Sequence, residues 1–417
     1  MRLTGTGKVW KLFAVMVCAG LLACSGAQAC SGSHGWYWGH GCSWAYGCPG
    51  AHGWPWNQTE ADKEYYFWQK LTERAAGKAW QIMHGKPLAR NAIVLTNANF
   101  VMIDGHGAAA CNDALQNATG ATPGKGTLLN VHTSVGSNLY FFFYDKASGK
   151  AVYMEPDTSE VADVLSQLPG LRQGQIAWKV YTIPEDTLFS HIGNGVFKAD
   201  TMFDTGGAVA NEISTGREFN GREFSIMGIV LAVVHGAPTD VIQSILFHDH
   251  YCPGVTSGIM LARYLMRDYP AGSYFVYSMP PWCKDDALQI ILNNTPGKKG
   301  YAVTYLTDAD LARLDHGKPE YANIAGVFFR RVSGAYQGIV LAFDFDAAAQ
   351  VAVGDYTAEF PSWQTKLKYD VELLKYMDTP EAFTSTLFTF TADRSPSEYA
   401  RPGVDQLEAF GLLAPTP

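Results

Sequence analysis

The chain is short of charge. Charged residues make up 17% of its 417 positions, and 39 acidic residues outnumber 31 basic ones for a net charge of −8. That balance is the wrong sign for a nucleic-acid surface, so no nucleic-acid partner is expected. No block of like charge marks an interaction tail. Cysteine is also scarce: eight in the whole chain, too few for a disulfide scaffold at this length. A phosphate loop is missing as well. The segment ATPGKGT has Thr119 where that motif requires glycine five residues before its Gly-Lys pair. What is plentiful is apolar: hydrophobic residues are 47% and aromatics 13%, enough for two or three domains with real cores.

The N-terminus reads as an export signal. Arg2, Lys8 and Lys11 precede the apolar run LFAVMVCAGLLA, which falls short of the ~20 residues a membrane span requires. Two processing sites compete: AQA at 27–29 suits an ordinary signal peptide, and LLAC suits a lipoprotein signal that would leave a lipid on Cys24. The expectation is a periplasmic protein or a membrane-anchored lipoprotein. Residues 30–57, rich in glycine and tryptophan with His34, His40 and His52, read as a tether, with metal loading as the alternative.

The globular part starts near residue 58 and repeats itself. DALQNATGATPGK begins at Asp113 and DALQIILNNTPGK at Asp286; both read D-A-L-Q, five residues, T-P-G-K. A hairpin pattern follows each, LYFFFYDKASGKAVY in the first and VFFRRVSGAYQGIVLAF in the second. Two copies of one fold are expected, at 58–185 and 186–380, packed as an internal pseudo-dimer. Residues 381–417 are left as a C-terminal extension. The proline and glycine of T-P-G-K read as a helix stop, with the lysine near the helix's negative end.

The second copy carries the chemistry. In TDVIQSILFHDHYCPGVTSG, Thr239 and Asp240 are candidate caps for a first helix. Pro253 pushes Cys252 out of helical backbone and suits the first position of a second helix. Cys252 then faces unpaired backbone N–H groups, which favours its thiolate. His248 and His250 lie beside it. Cys283 falls at the start of the next helix, with Asp285 and Asp286 in its first turn. These four side chains suit a divalent transition metal, zinc above all. A Cys252–Cys283 disulfide and a set of unliganded polar residues are the competing readings.

FHDHYCPGVTSG, CKDDALQ and TPGKKG together resemble the FmdE family, named from the formylmethanofuran dehydrogenase operon. The resemblance covers about residues 240–345, and 64–155 more weakly. It implies an α+β fold: two tandem domains with helices packed on a mixed or antiparallel sheet, usually paired as a dimer. It implies a metal site at His248, His250, Cys252 and Cys283. The first copy has YFWQKL where the second has FHDHYC, and keeps only His106 and Cys111 as possible accessory ligands, reaching across the pseudo-dimer or serving locally. The expected function is binding or carrying a metal or a metal-containing small ligand. The alternatives are a metalloenzyme drawing its acid or base from Asp249, Asp285, Asp286 or His235, and a structural protein clamped by its metal.

Overall fold

Two five-stranded sheets carry the chain, and they are wired alike. The computed structural model describes residues 59–83, 92–200, 202–203, 215–314, 319–354 and 362–413. The expected export signal and the tether with His34, His40 and His52 lie outside them. The first sheet holds β1 (Ala92–Thr96), β2 (Leu128–Asn130), β3 (Phe141–Asp145), β4 (Lys150–Pro156) and β5 (Phe189–Val196), in the order β2-β1-β3-β4-β5. The second holds β6 (Phe275–Ser278), β7 (Tyr301–Val303), β8 (Ile324–Val332), β9 (Ala335–Phe343) and β10 (Thr384–Thr391), in the order β7-β6-β8-β9-β10. In each sheet the first-named pair is parallel and every other pair antiparallel.

Helices match as the strands do. The first half runs α1 (Glu60–Ile82), β1, α2 (Cys111–Thr119), β2, then the hairpin β3–β4. The second adds α3 (Glu223–Val234) and α4 (Thr239–His248), then repeats the series as α5 (Pro253–Asp268), β6, α6 (Lys284–Ile291), β7 and the hairpin β8–β9. A further helix, α7 (Ser362–Leu373), precedes β10. The fold is α+β with mixed sheets, and the common wiring fits a tandem duplication. Each T-P-G-K acts as a local stop. Thr122 and Thr295 each accept a hydrogen bond from the lysine N–H three residues on, and each lysine Nζ donates back to a carbonyl at its preceding helix end, Gly120 and Asn293.

Strand periodicity explains the run of aromatics in β3. Phe141 and Phe143 enter a core with Phe67 and Leu71 of α1 and Cys111 of α2. Phe142 and Tyr144 point the other way, into a central core shared with Ile229, Val255 and Ile259 and with Phe328 and Ile339 of the second sheet. A sheet covered on both faces needs apolar side chains on both, so alternation disappears from the sequence. The second sheet's outer face, with Tyr277, Val327 and Phe329, packs against Tyr399, Leu407 and Phe410. The C-terminal segment is therefore a core-forming cover.

The apolar stretch NAIVLTNANFVMID does not form one strand. It breaks after Thr96, where buried Asn97 binds the Asn138 carbonyl and the Tyr140 N–H, and resumes as a two-residue ribbon pairing Met102–Ile103 with His106–Gly107. The boundaries drawn at 185 and 380 each fall short of a closing strand, β5 and β10, that pairs at the far edge of its sheet. Thr239 and Asp240 do not cap α4, whose N-cap is Pro238; Asp240 instead accepts two hydrogen bonds from Arg263 of α5 at 2.7 and 2.8 Å.

Candidate metal centre

The site exists because a helix is interrupted. Asp249 takes a left-handed conformation, φ +70°, and ends α4 at His248. Cys252 is extended, φ −152° and ψ 161°, and Pro253 starts α5. The backbone thus turns between the two histidines and the cysteine, and their side chains gather on one side of the turn. In the first half the matching residues 66–71 lie inside α1, which continues unbroken for 23 residues. There Phe67 and Leu71 enter the core, so that half has no counterpart of the turn.

Cys283 arrives from β6 at the start of α6. It approaches closely because residue 254 has no side chain: a Cβ on Gly254 would lie 2.7 Å from Cys283 Cβ and 3.3 Å from its Sγ. One turn on, a Cβ on Gly258 would lie 2.3 Å from the Lys284 carbonyl oxygen. The two glycines let α5 and α6 cross at backbone distance. His248, His250, Cys252 and Cys283 each offer one ligand atom, and these atoms lie within 4.8 Å of one another. A tetrahedral ion with bonds of about 2.0–2.3 Å separates its ligands by roughly 3.3–3.8 Å. Contraction by about an ångström would therefore complete the shell, a shift within reach of side-chain rotation.

Both imidazoles are already aimed. His248 Nδ1 is 2.6 Å from Asp286 Oδ2, and His250 Nδ1 is 2.6 Å from Asp249 Oδ1. Each carboxylate holds Nδ1 and leaves Nε2 for a ligand, the arrangement that fixes ring orientation at metal centres. His248 Nε2 is buried without a hydrogen-bond partner, which costs free energy unless something binds it. A metal ion fits this donor set: two thiols, an unsatisfied buried imidazole nitrogen and a second oriented imidazole. Asp286→Ala should leave the fold intact and weaken zinc binding by about 10–100-fold, measured by competition with a chromophoric chelator.

The protons are not arranged as the helix-start argument alone implies. The neighbouring Cys283 sulfur, reinforced by burial, pushes the Cys252 thiol well up. The Cys252 sulfur, with His248 beside it, brings the Cys283 thiol down to about 4. Of the two sulfurs, Cys283 is the one whose surroundings favour the thiolate. Burial opposes charge on His248, but its bond to Asp286 and the nearby Cys283 sulfur prevail and raise its pKa to about 9. The dipole at the start of α5 is outweighed by the second sulfur and by burial.

The accessory ligands do not join. His106 Nδ1 pairs with Glu64 at 2.9 Å, and Cys111 is fully buried in the first half's own core, where desolvation pushes its thiol up to about 12. Both serve locally. The D-A-L-Q aspartates play parallel parts, however: Asp113 accepts from Tyr65 as Asp286 does from His248. Of the acid–base candidates, Asp249 and Asp286 orient the histidines. Asp285 is buried and bound by Ser278, Tyr301 and the Trp282 N–H. His235 is exposed at the end of α3. Sequence reasoning missed Asp370 of α7. It is fully buried, accepts from Thr256 at 2.6 Å through Oδ1, and has no partner at Oδ2. Nothing in its local sequence marks it.

The first half also touches the site's approach. His132 N–H donates to the Leu246 carbonyl at 2.8 Å, and its ring lies against Phe100 and Phe247, with centroids 4.9 and 5.2 Å away.

Residues 247–383 match a family model described as FmdE, Molybdenum formylmethanofuran dehydrogenase operon. The matched stretch contains all four gathered side chains and supports the FmdE family for this part of the chain. No curated protein matched the chain.

Proposed function

We propose that this chain is a metal-binding protein that holds one divalent transition ion between His248, His250, Cys252 and Cys283, and binds or carries a metal or metal-containing ligand through it. The observation that carries the reading is the unpartnered, buried Nε2 of His248 beside two free thiols and a second oriented imidazole. The match to FmdE over the same residues supports it. Two nitrogen and two sulfur donors suit zinc. Four protein ligands also leave no open position, the pattern of a structural or carrier site more than of a catalytic one. Of the acid–base candidates, Asp249, Asp285 and Asp286 are each hydrogen-bonded to other groups.

The remaining parts of the reading are proposals on separate grounds. The repeated D-A-L-Q and T-P-G-K segments and the common strand order support a tandem pair of FmdE-like domains, packed as an internal pseudo-dimer with one site. The basic start, the apolar run and the AQA or LLAC site support export, to the periplasm or to a membrane through a lipid on Cys24.

Metal content tests the central reading. The purified chain should carry about one ion, and Cys252→Ser or His250→Ala should lose it while keeping native circular dichroism. Unchanged metal in both variants would rule the site out. Loss of fold together with metal would identify a structural clamp.

A further inference from the structure

Two of the four proposed ligands form a pair with chemistry of its own. Cys252 and Cys283 are both free thiols, 31 positions apart in sequence, and their sulfurs lie within 4.8 Å. They sit at the N-terminal ends of α5 and α6, whose close crossing through Gly254 and Gly258 fixes their separation. A disulfide needs about 2.05 Å between sulfurs and about 3.8 Å between Cβ atoms. Sulfurs already within 4.8 Å have at most about 2.8 Å left to close. The pair is also unequal in access. Cys252 is 7% exposed and sits in the central core, whereas Cys283 is only partly covered and follows Trp282, 58% exposed.

We propose that Cys252 and Cys283 are a reversible dithiol–disulfide couple, with Cys283 as the attacking sulfur and Cys252 as the resolving one, whose oxidation dismantles the metal site. The reaction partner is a low-molecular-weight disulfide. The Cys283 thiolate attacks one sulfur of that disulfide, forming a mixed disulfide and expelling the first thiolate. Cys252 then gives up its proton and attacks Cys283 Sγ, forming the intramolecular disulfide and expelling the second thiolate, which takes up a proton. Two electrons pass from the cysteine pair to the reagent, one disulfide is made for one consumed, and two small thiols leave. Each sulfur is then covalently engaged and no longer a thiolate ligand, so any divalent ion leaves without changing oxidation state. The exchange stands on the thiol geometry alone; the antagonism with metal rests on the reading given under Proposed function.

The test uses the full chain with oxidised glutathione as probe, followed by alkylation and peptide mass mapping. In the metal-free reduced protein, a Cys252–Cys283 linked peptide should accumulate while Cys111, fully buried, stays alkylatable after unfolding. Cys252→Ser should trap glutathione on Cys283, and Cys283→Ser should react at Cys252 at least about tenfold more slowly. Native circular dichroism in both variants excludes unfolding as the cause. Equal reaction rates in the two variants would overturn the assigned order. Absence of the linked peptide under conditions that glutathionylate Cys283 would overturn the couple, and would leave the metal reading intact if zinc still binds. Stoichiometric zinc should slow formation of the linked peptide at least about tenfold. A linked peptide forming equally fast with zinc present would overturn the antagonism and the metal reading while leaving the couple.

Discussion

Gly254→Ala should produce a folded chain that holds metal about 10–100-fold more weakly than the parent. The added methyl would stand 2.7 Å from Cys283 Cβ, well inside ordinary contact. Relief requires Cys283 to move away from Cys252 or the first turn of α5 to shift. Overpacking of this kind costs about 1–3 kcal/mol. Here it falls on the positions of the ligands themselves, and every 1.4 kcal/mol is tenfold in affinity. Two companion substitutions separate this from a general effect. At Gly258 the new methyl meets backbone, the Lys284 carbonyl oxygen at 2.3 Å, which cannot rotate aside. Gly258→Ala should therefore lower the unfolding free energy by about 1–3 kcal/mol as well as disturb the site. Gly77, its counterpart in α1, has nothing within 4 Å of an added Cβ. Gly77→Ala should stabilise the chain by about 0.5–1 kcal/mol, because alanine loses less backbone entropy in a helix. Urea titration and a zinc competition assay on the three variants check the set; equal effects at 77 and 254 would break the argument from close approach.

Asp370 should make the metal-free protein less stable as pH rises. Burial, with the Cys283 thiolate as a further contribution, pushes its carboxyl well above the usual range, against the opposing bond from Thr256. The unfolded chain releases this proton near pH 3.9, while the folded chain keeps it. Above about pH 4 the unfolded state therefore binds fewer protons, and stability falls at up to about 1.4 kcal/mol per pH unit until the folded group also ionises. Asp370→Asn removes the titration while keeping the shape and the acceptor for Thr256. The variant should match the parent near pH 4 and exceed it increasingly toward neutral pH in chemical denaturation. Parallel curves for the two proteins would contradict a buried neutral acid at this position.

Much of the site was readable because its geometry is local. Pro253 alone predicts that Cys252 is extended and that a helix begins after it, and the structure has both. The D-A-L-Q and T-P-G-K repeat was readable because identical spacing needs no tertiary knowledge, and its aspartates and threonines do equivalent work in both halves. The hairpin in VFFRRVSGAYQGIVLAF was readable as a pattern, and the structure turns it at Ser333 and Gly334, both with positive φ.

What was hidden depends on distant partners. Strands β5 and β10 follow helical excursions and pair at sheet edges, so no nearby pattern announces them. The Cys252 thiol is pushed up by a sulfur 31 positions away and by burial, against the effect of its helix start. His106 and Cys111 resemble spare ligands in sequence, yet α1 runs straight where the second half turns, and they meet Glu64 and an apolar core instead. Asp370 is one acid among 39 acidic residues until folding closes the central core around it.

X-ray absorption at the metal edge of the purified, zinc-loaded chain tests the central claim most directly. The four-residue site predicts two sulfur neighbours at about 2.3 Å and two imidazole nitrogens at about 2.0 Å, with one sulfur lost in Cys283→Ser. A first shell of nitrogen and oxygen alone, or a spectrum that Cys283→Ser leaves unchanged, would contradict it.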